Sequence, residues 1–257
     1  MSPYFPYRAR GEDSGTPMRM LFATDGSNGA SVALEFLASL PLSQADTVTV
    51  LSVAARGERP HAQGVAEAAA RALGARGTRT SFRVERGPVA DAILAVALET
   101  VADLVVVGSR GLGTVSGALL GSTARALAHE AVVPVLAVRD RHEAPRHVLA
   151  AVDGSPEAER ALAFLVRLPL PRGAGTTYLQ LAPCERRAAD EILSQAARAS
   201  TDLIVLGTAD QTTRRGLIET SLADQVLSGA HCPVLVASGG FAAWPVAHRR
   251  EAVAGPV

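Results

Sequence analysis

The sequence predicts an α/β protein: two doubly wound parallel-sheet domains packed as an intramolecular pseudo-dimer, the second of them shortened. Two observations predict this fold class. Short apolar runs alternate along the chain with Ala- and Leu-rich segments of helical length, and strands that alternate with helices form parallel sheets with right-handed crossovers. The same order of runs then occurs a second time in a shorter form.

The composition fits this class and excludes others. Of 257 residues, 48% are hydrophobic and only 4% are aromatic, as expected for Ala/Val/Leu-rich strands and helices. The 25 basic and 25 acidic residues cancel, so no bulk field favours nucleic acid or an anionic membrane. No apolar run approaches the ~20 residues that span a bilayer, and the start of the chain lacks the apolar segment of a signal peptide. We therefore expect a cytoplasmic protein without a nucleic-acid or membrane partner.

Cysteine and histidine usage predicts neither a disulfide framework nor a metal centre. Cys184 and Cys232 are too few for either. The run His231–Pro233 has no second ligand cluster nearby, so we interpret Cys232 as a core residue that precedes a buried strand. The other histidines of interest show no pairing pattern and are expected at the surface or in packing: His61, His129 and His142.

The chain contains an internal repeat, since three segments occur twice in the same order. The first recurs 128 residues later, from Asp25 to Asp153, and the other two recur 99 residues later, as from Gly108 to Gly207. The second copy has therefore lost 29 residues between its first strand and its glycine-loop strand, which corresponds to one helix and one strand. The paired segments are Met20–Ser27 with Val148–Ser155, Asp103–Ser109 with Asp202–Thr208, and Val133–Val138 with Cys232–Ala237.

The repeats define two predicted domains, residues 18–139 and the shortened 147–240, joined by a charged, Pro-containing linker. Residues 1–17 and 241–257 are expected to be flexible tails. Periodicity and turn signals predict the individual elements. In the first domain they are strands at 19–24, 46–54, 80–84, 103–107 and 133–138, with helices at 28–39, 60–76, 88–100 and 121–130. In the second they are strands at 147–152, 176–182, 202–207 and 233–237, with helices at 156–167, 185–199 and 219–228.

A glycine-rich loop follows the buried run Asp103–Val107. Residues 108–122 read Gly-Ser-Arg-Gly-Leu-Gly-Thr-Val-Ser-Gly-Ala-Leu-Leu-Gly-Ser, and a helix is predicted to begin at their end. Glycines let the backbone approach an oxyanion and adopt positive φ without a Cβ clash. The free N–H groups and the positive dipole end of the following helix favour phosphate. The loop therefore predicts a phosphate-binding site.

The spacing Gly108-x2-Gly111-x9-Gly121-Ser122, with an Asp-Gly-Ser at the end of the first strand, resembles the ATP-binding signature of the universal stress protein family. The resemblance covers both repeats, so the chain looks like a tandem universal stress protein. It implies Rossmann-like domains, of the adenine nucleotide alpha hydrolase-like type, that bind ligand at the carboxyl ends of their strands. It also implies ATP as the ligand, with Mg²⁺ arriving on the triphosphate.

The resemblance implies a role for each matched position. Asp25 matches an acidic residue that contacts adenosine, and Val53 stands where a strand backbone meets the adenine edge. The loop would surround the ribose and phosphates, and the start of the next helix would donate hydrogen bonds to phosphate oxygens. The implied binding residues are Thr24, Asp25, Val53, Gly108, Ser109, Gly111, Gly121, Ser122 and Thr123.

Several of these residues also have a purely structural interpretation. Asp25 can simply cap the turn into the first helix, as Asp153 would in the second copy. Val53 is apolar and would be buried in any case. Gly121–Ser122 can be no more than a helix start, and Arg110 can meet a phosphate or remain solvated.

The second copy departs from the signature, since its aligned residues read Gly207-x2-Asp210-x9-Thr220-Ser221. Asp210 would place a negative charge near the phosphates, where repulsion at ~4 Å and an effective dielectric near 20 is about 4 kcal/mol. Thr220 adds a β-branched side chain where close backbone approach is needed. Arg214–Arg215 would offset the charge but not the crowding. We therefore expect nucleotide in the N-terminal domain only.

The last strands of the two copies, 133–138 and 232–237, are expected to pair. In the family resembled, the last strand lies at the sheet edge and pairs with its counterpart across a dimer. Pairing within one chain would bury both edges, so that the shortened domain acts as a built-in dimer partner. A homodimer of the whole chain stays possible.

The motifs favour binding over catalysis. The chain has no P-loop lysine pattern, nucleophile elbow or metal-ligand cluster. The leading interpretation is an ATP-binding stress-response or regulatory protein, with unknown protein partners and no catalytic residues. One alternative is a slow ATPase or other adenylate-using enzyme on the same site. Another is a dimerisation scaffold that ignores nucleotide, against which the intact first loop argues.

Overall fold

The computed structural model describes residues 17–109, 121–140, 143–182, 187–208 and 221–238, together with the backbone of 4–6. These residues form seven helices and ten strands. The strands are β1 (Tyr4–Pro6), β2 (Arg19–Ala23), β3 (Thr47–Ala54), β4 (Arg79–Arg86), β5 (Leu104–Gly108), β6 (Val135–Val138), β7 (His147–Val152), β8 (Gly175–Gln180), β9 (Leu203–Thr208) and β10 (Val234–Ser238). The helices are α1 (Asn28–Ser39), α2 (Arg59–Gly74), α3 (Val89–Glu99), α4 (Ser122–Glu130), α5 (Pro156–Leu165), α6 (Ala188–Arg198) and α7 (Leu222–Gly229).

The ten strands form one sheet in the order β1-β8-β7-β9-β10-β6-β5-β2-β3-β4. Strands β2 to β6, which we call the first unit, pair with one another in parallel. Strands β7 to β10, the second unit, do the same. The two units meet where β6 pairs antiparallel with β10, and Leu136 lies opposite Leu235. The α/β fold class and the pairing of the last strands within one chain are therefore confirmed.

Both faces of the sheet are buried, as parallel strands require. Helices α3, α4, α6 and α7 cover one face, where Leu21 of the first unit and Leu149 of the second lie in the same apolar cluster. Helices α1, α2 and α5 cover the other face, and the second cluster includes Val106 and Val205. The two units thus share both layers of their core.

The described part of the second unit contains no counterpart of α2 and β4, as the 29 missing residues predict. A strand near the amino terminus takes the vacant edge, because β1 pairs antiparallel with β8 and Tyr4 lies opposite Thr177. This strand falls within residues 1–17, which are predicted to be a flexible tail, because three residues are too few to show a strand period. Among the described helices, none has the length and apolarity that crossing a membrane requires.

Candidate functional site

The chain reverses its direction across the sheet between β2 and β5. From β2 it moves outward through β3 to β4, and it then returns to β5 and continues to β6 on the other side. The two strands are neighbours, with Ala23 opposite Val107. Ligands of open parallel sheets bind outside the carboxyl ends of the strands at such a reversal. The segments that follow β2 and β5 therefore form the candidate site.

The segment after β2 is a tight turn built by its own side chains. The hydroxyl of Thr24, a buried residue, accepts a hydrogen bond from the Gly26 N–H at 3.2 Å. The exposed Asp25 accepts one from the Ser27 N–H through Oδ1 at 2.9 Å. Gly26 has φ of +73°, and Ser27 is the N-cap of α1. The turn thus places Asp25 at the sheet edge and directs the chain into α1.

The second unit builds the same turn. Asp153 Oδ1 accepts a hydrogen bond from the Ser155 N–H at 2.9 Å, and Ser155 caps α5. The turn contact that the structural interpretation of Asp25 predicts is therefore present in both units, including the one where the glycine signature is lost. A contact of Asp25 with adenosine stays a prediction.

The glycine-rich loop begins and ends at one point beside β5. Ser109, which is 3% exposed, donates its N–H to the Val138 carbonyl at 2.8 Å. Its own carbonyl accepts a hydrogen bond from the Gly121 N–H, also at 2.8 Å. Gly111 and Arg110, which the sequence also implicates, lie outside the described residues. The contacts at Ser109 hold the start of α4 next to the end of β5.

The two units differ at the start of the helix that follows this loop. Helix α4 has Gly121 as its N-cap, and glycine has no side chain with which to cap. Ser122 is exposed and Thr123 is half-buried in its first turn. Helix α7, its counterpart, has Ser221 as its N-cap. The Ser221 hydroxyl accepts a hydrogen bond from the Asp224 N–H at 3.0 Å, so an N–H group of that turn already has a partner.

Val53 lies on β3, beside β2, and is half-buried against the helix α3 side of the core. The last registered pair of β2 and β3 is Ala23 with Leu51, whose carbonyl accepts the Thr24 N–H at 2.8 Å. Alternate residues of a parallel strand direct their backbone groups to the same neighbour. The backbone of Val53 is thus directed to the β2 side, past the last registered pair of that strand.

Gly108 also has a packing role, which the glycine spacing by itself does not predict. A Cβ at this position would lie 2.7 Å from the carbonyl carbon and oxygen of Gly29 and 3.0 Å from the Ala30 nitrogen. The end of β5 therefore touches the backbone of α1. Gly207 makes the same close approach to Glu157 in the second unit. The second copy keeps Gly207 although it has lost the other two glycines of the signature. This retention is the sequence signal for a packing role at Gly108.

Cys232 and the described histidines of interest take packing or surface positions. Cys232 is buried, as predicted for a core residue. His61 is exposed, and His129 packs with Nε2 2.9 Å from Asp224 Oδ1, whereas His142 lies outside the described residues. Across the described part of the chain, no group of three or more His, Cys, Asp or Glu side chains is arranged to hold a metal ion.

A parallel sheet with a glycine-rich loop and a helix start at its point of reversal defines the doubly wound, Rossmann-like class of α/β proteins. The model of the universal stress protein family matches residues 17–139 and 183–238. The chain belongs to this family. The second matched segment begins after β8, so the first three elements of the second unit lie outside it.

Individual relatives agree with this assignment. A universal stress protein of Mycolicibacterium smegmatis is 44% identical over 64 residues, which is 23% of this chain and 22% of the relative. One from Thermus aquaticus is 48% identical over 54 residues, 21% of this chain and 39% of the relative. The matches thus span well under half of either relative. The same fold occurs in the crystal structure of a universal stress protein from Archaeoglobus fulgidus DSM 4304. The two structures superpose with a TM-score of 0.65 at 19% sequence identity, and the match covers 86% of this chain and 98% of that one.

Proposed function

We propose that this chain is an ATP-binding member of its family, with nucleotide in the first unit only, and that it acts as a stress-response or regulatory module. The observation that carries the proposal is the start of α4. Its N-cap is a glycine, held beside the end of β5 by the Ser109–Gly121 hydrogen bond, at the point where the sheet reverses. Helix starts of this kind bind phosphate through their free N–H groups.

The remaining residues of the site suit an adenine nucleotide. Gly121, Ser122 and Thr123 would hold the phosphates, while Thr24 and Asp25 would meet the adenosine. The β3 backbone at Val53 is directed to the same side and would meet the adenine edge. Each hydrogen bond to a charged acceptor contributes on the order of 1.5–3 kcal/mol, so a few suffice for micromolar affinity. Mg²⁺ would enter with the triphosphate.

The second unit is expected to leave this ligand unbound. The hydroxyl of Ser221 serves the first turn of α7, and it would have to leave the Asp224 N–H before a phosphate could take its place. Asp210 and Thr220 lie outside the described residues, and their effect on phosphate remains a prediction. The helix cap and these two substitutions all favour one nucleotide per chain.

Binding without rapid hydrolysis fits the chemistry present. The chain contains no lysine, which P-loop hydrolysis requires. The carboxylate of Asp25 already accepts a hydrogen bond within its own turn. A regulatory role therefore accounts for the site better than an enzymatic one.

Calorimetry with ATP and the full chain tests the proposal. We expect micromolar affinity with a stoichiometry of one, and a loss of detectable heat in Gly111→Asp, since a charge about 4 Å from phosphate lowers affinity roughly a thousandfold. Gly77→Asp is the matched control. It adds the same charge at a positive-φ turn before β4, at the opposite edge of the same unit, and is expected to bind like the wild type.

Three results would contradict the proposal. No binding heat in the wild type would favour the scaffold, and a stoichiometry of two would refute the difference between the units. Phosphate release over hours that disappears in Gly111→Asp would instead identify a slow ATPase. Parallel titrations with ADP and cyclic AMP would establish which nucleotide the site prefers.

A further inference from the structure

The two units are related by a pseudo-twofold axis that passes through the β6–β10 pair. In the repeat alignment, residues of the first unit correspond to residues 99 positions later in the second. Leu136 therefore corresponds to Leu235, and these two residues lie opposite each other in the antiparallel register. Contact between a residue and its own equivalent is the property of positions on a twofold axis.

One charged pair also lies on this axis. Arg125 of α4 corresponds to Asp224 of α7, again 99 positions apart, and its Nη2 lies 2.9 Å from Asp224 Oδ2. The Asp224 side chain is 6% exposed and the Arg125 side chain is 57% exposed, so the carboxylate is removed from water while the guanidinium stays partly solvated. In a pair of identical units this position would bring arginine against arginine, or aspartate against aspartate. Opposite charges at one axial position are available only to unlike units.

Other contacts between the two units also involve residues that have no like counterpart in the other unit. His129 Nε2 lies 2.9 Å from Asp224 Oδ1, whereas the equivalent of His129 in the second unit is Ser228. The buried Arg139 donates to the carbonyls of Ser228 at 2.9 Å and Ala230 at 2.7 Å, at the carboxyl end of α7. A cation is favourable at a helix carboxyl end. The equivalent of Arg139 is Ser238, which carries no charge.

We propose that Arg125 and Asp224 determine which units pair, so that the β6 edge of the first unit accepts the β10 edge of its own chain and rejects the β6 edge of a second copy. The apolar strands supply the attraction, and they would serve like and unlike pairs equally. The axial charges determine the choice, because a like charge placed against the buried position of Asp224 is unfavourable whereas the opposite charge of Arg125 is not. This proposal is independent of nucleotide binding.

Charge reversal in the full chain tests it directly, because Asp224→Arg recreates at the axis what two first units would present to each other. Arg125→Asp recreates the pairing of two second units. We expect each to lower the folding equilibrium constant in urea unfolding at least a hundredfold, or about 2.8 kcal/mol. The double variant Arg125→Asp/Asp224→Arg restores opposite charges and is expected to recover all but about tenfold of that loss. Arg71→Asp is the control reversal, since Arg71 is 72% exposed and pairs with Glu67 of its own helix.

The outcomes separate the proposal from a purely local effect. Losses that add in the double variant, or single reversals as stable as Arg71→Asp, would overturn it. If a single reversal fails to fold, folding of the double variant supports the proposal. If neither folds, the milder cycle of Arg125→Gln and Asp224→Asn decides, since a coupling between these two of less than threefold in the equilibrium constant would overturn the proposal.

Discussion

The close approach of β5 to α1 makes Gly108→Ala the most informative single substitution. The added Cβ would lie 2.7 Å from the carbonyl carbon and oxygen of Gly29, and an ordinary contact requires at least about 3.4 Å. The strand end and the helix must therefore separate by about 0.7 Å. Overpacking of this kind costs typically 1–3 kcal/mol, and here the obstructing atoms are backbone and cannot rotate away. For a chain of this size, about 2 kcal/mol lowers the Tm by roughly 4–8 °C.

Urea and thermal unfolding without nucleotide measure this cost. Gly64→Ala is the matched control, because a Cβ on Gly64 in α2 meets nothing within 4 Å, and Ala is favoured over Gly in a helix by about 1 kcal/mol. We expect Gly108→Ala to be destabilised and Gly64→Ala to be stabilised. Equal stability of Gly108→Ala and the wild type would refute the packing role of Gly108 and leave nucleotide contact as the reason for this glycine.

Three further substitutions test the local structure. Val101 is 58% exposed and has φ of +48° at the end of α3, a conformation that glycine adopts more readily. Val101→Gly is therefore expected to raise the free energy of unfolding by about 0.5–1 kcal/mol. The control Val166→Gly, at a similarly exposed valine with φ of −61°, is expected to lower it. The buried Asp46 accepts the Met18 N–H at 2.7 Å and the Ser43 N–H at 2.8 Å, so Asp46→Ala leaves both without an acceptor and is expected to cost about 3 kcal/mol in urea unfolding. Loss of the α1 cap in Ser27→Ala is expected to cost about 1 kcal/mol by the same measurement, and an unchanged midpoint would contradict the capping geometry.

Elements with strong local signals were predicted from the sequence to within a residue or two. Helix α1 occupies 28–39 as predicted, because Ser27 caps its start and Pro41 follows its end. Strand β4 is longer than the predicted 80–84, since it is an edge strand whose exposed, charged residues hide its period. Strand β1 was missed because its pairing depends on the edge that the deletion left open on β8.

The candidate site was predictable as a set of positions but not in its internal roles. The repeat and the glycine spacing placed Thr24, Asp25, Ser109 and Gly121 together, and the structure places them at neighbouring strand ends. That α7 is capped by the Ser221 hydroxyl depends on where that helix begins, which the alignment does not specify.

The central antiparallel pair also sets the order in which this sheet can be completed during synthesis. The ribosome finishes β6 at Val138, but its partner β10 does not exist until residue 236 has been added, 98 residues later. At about 5–20 residues per second, that interval is roughly 5–20 s. Throughout it, the nascent chain carries the unpaired edge of Val135 and Leu136, a template for other strands, and polysomes bring many copies of it close together. The hazard of aggregation during synthesis therefore depends on how long this edge stays unpaired, which the equilibrium stability of the finished fold does not describe.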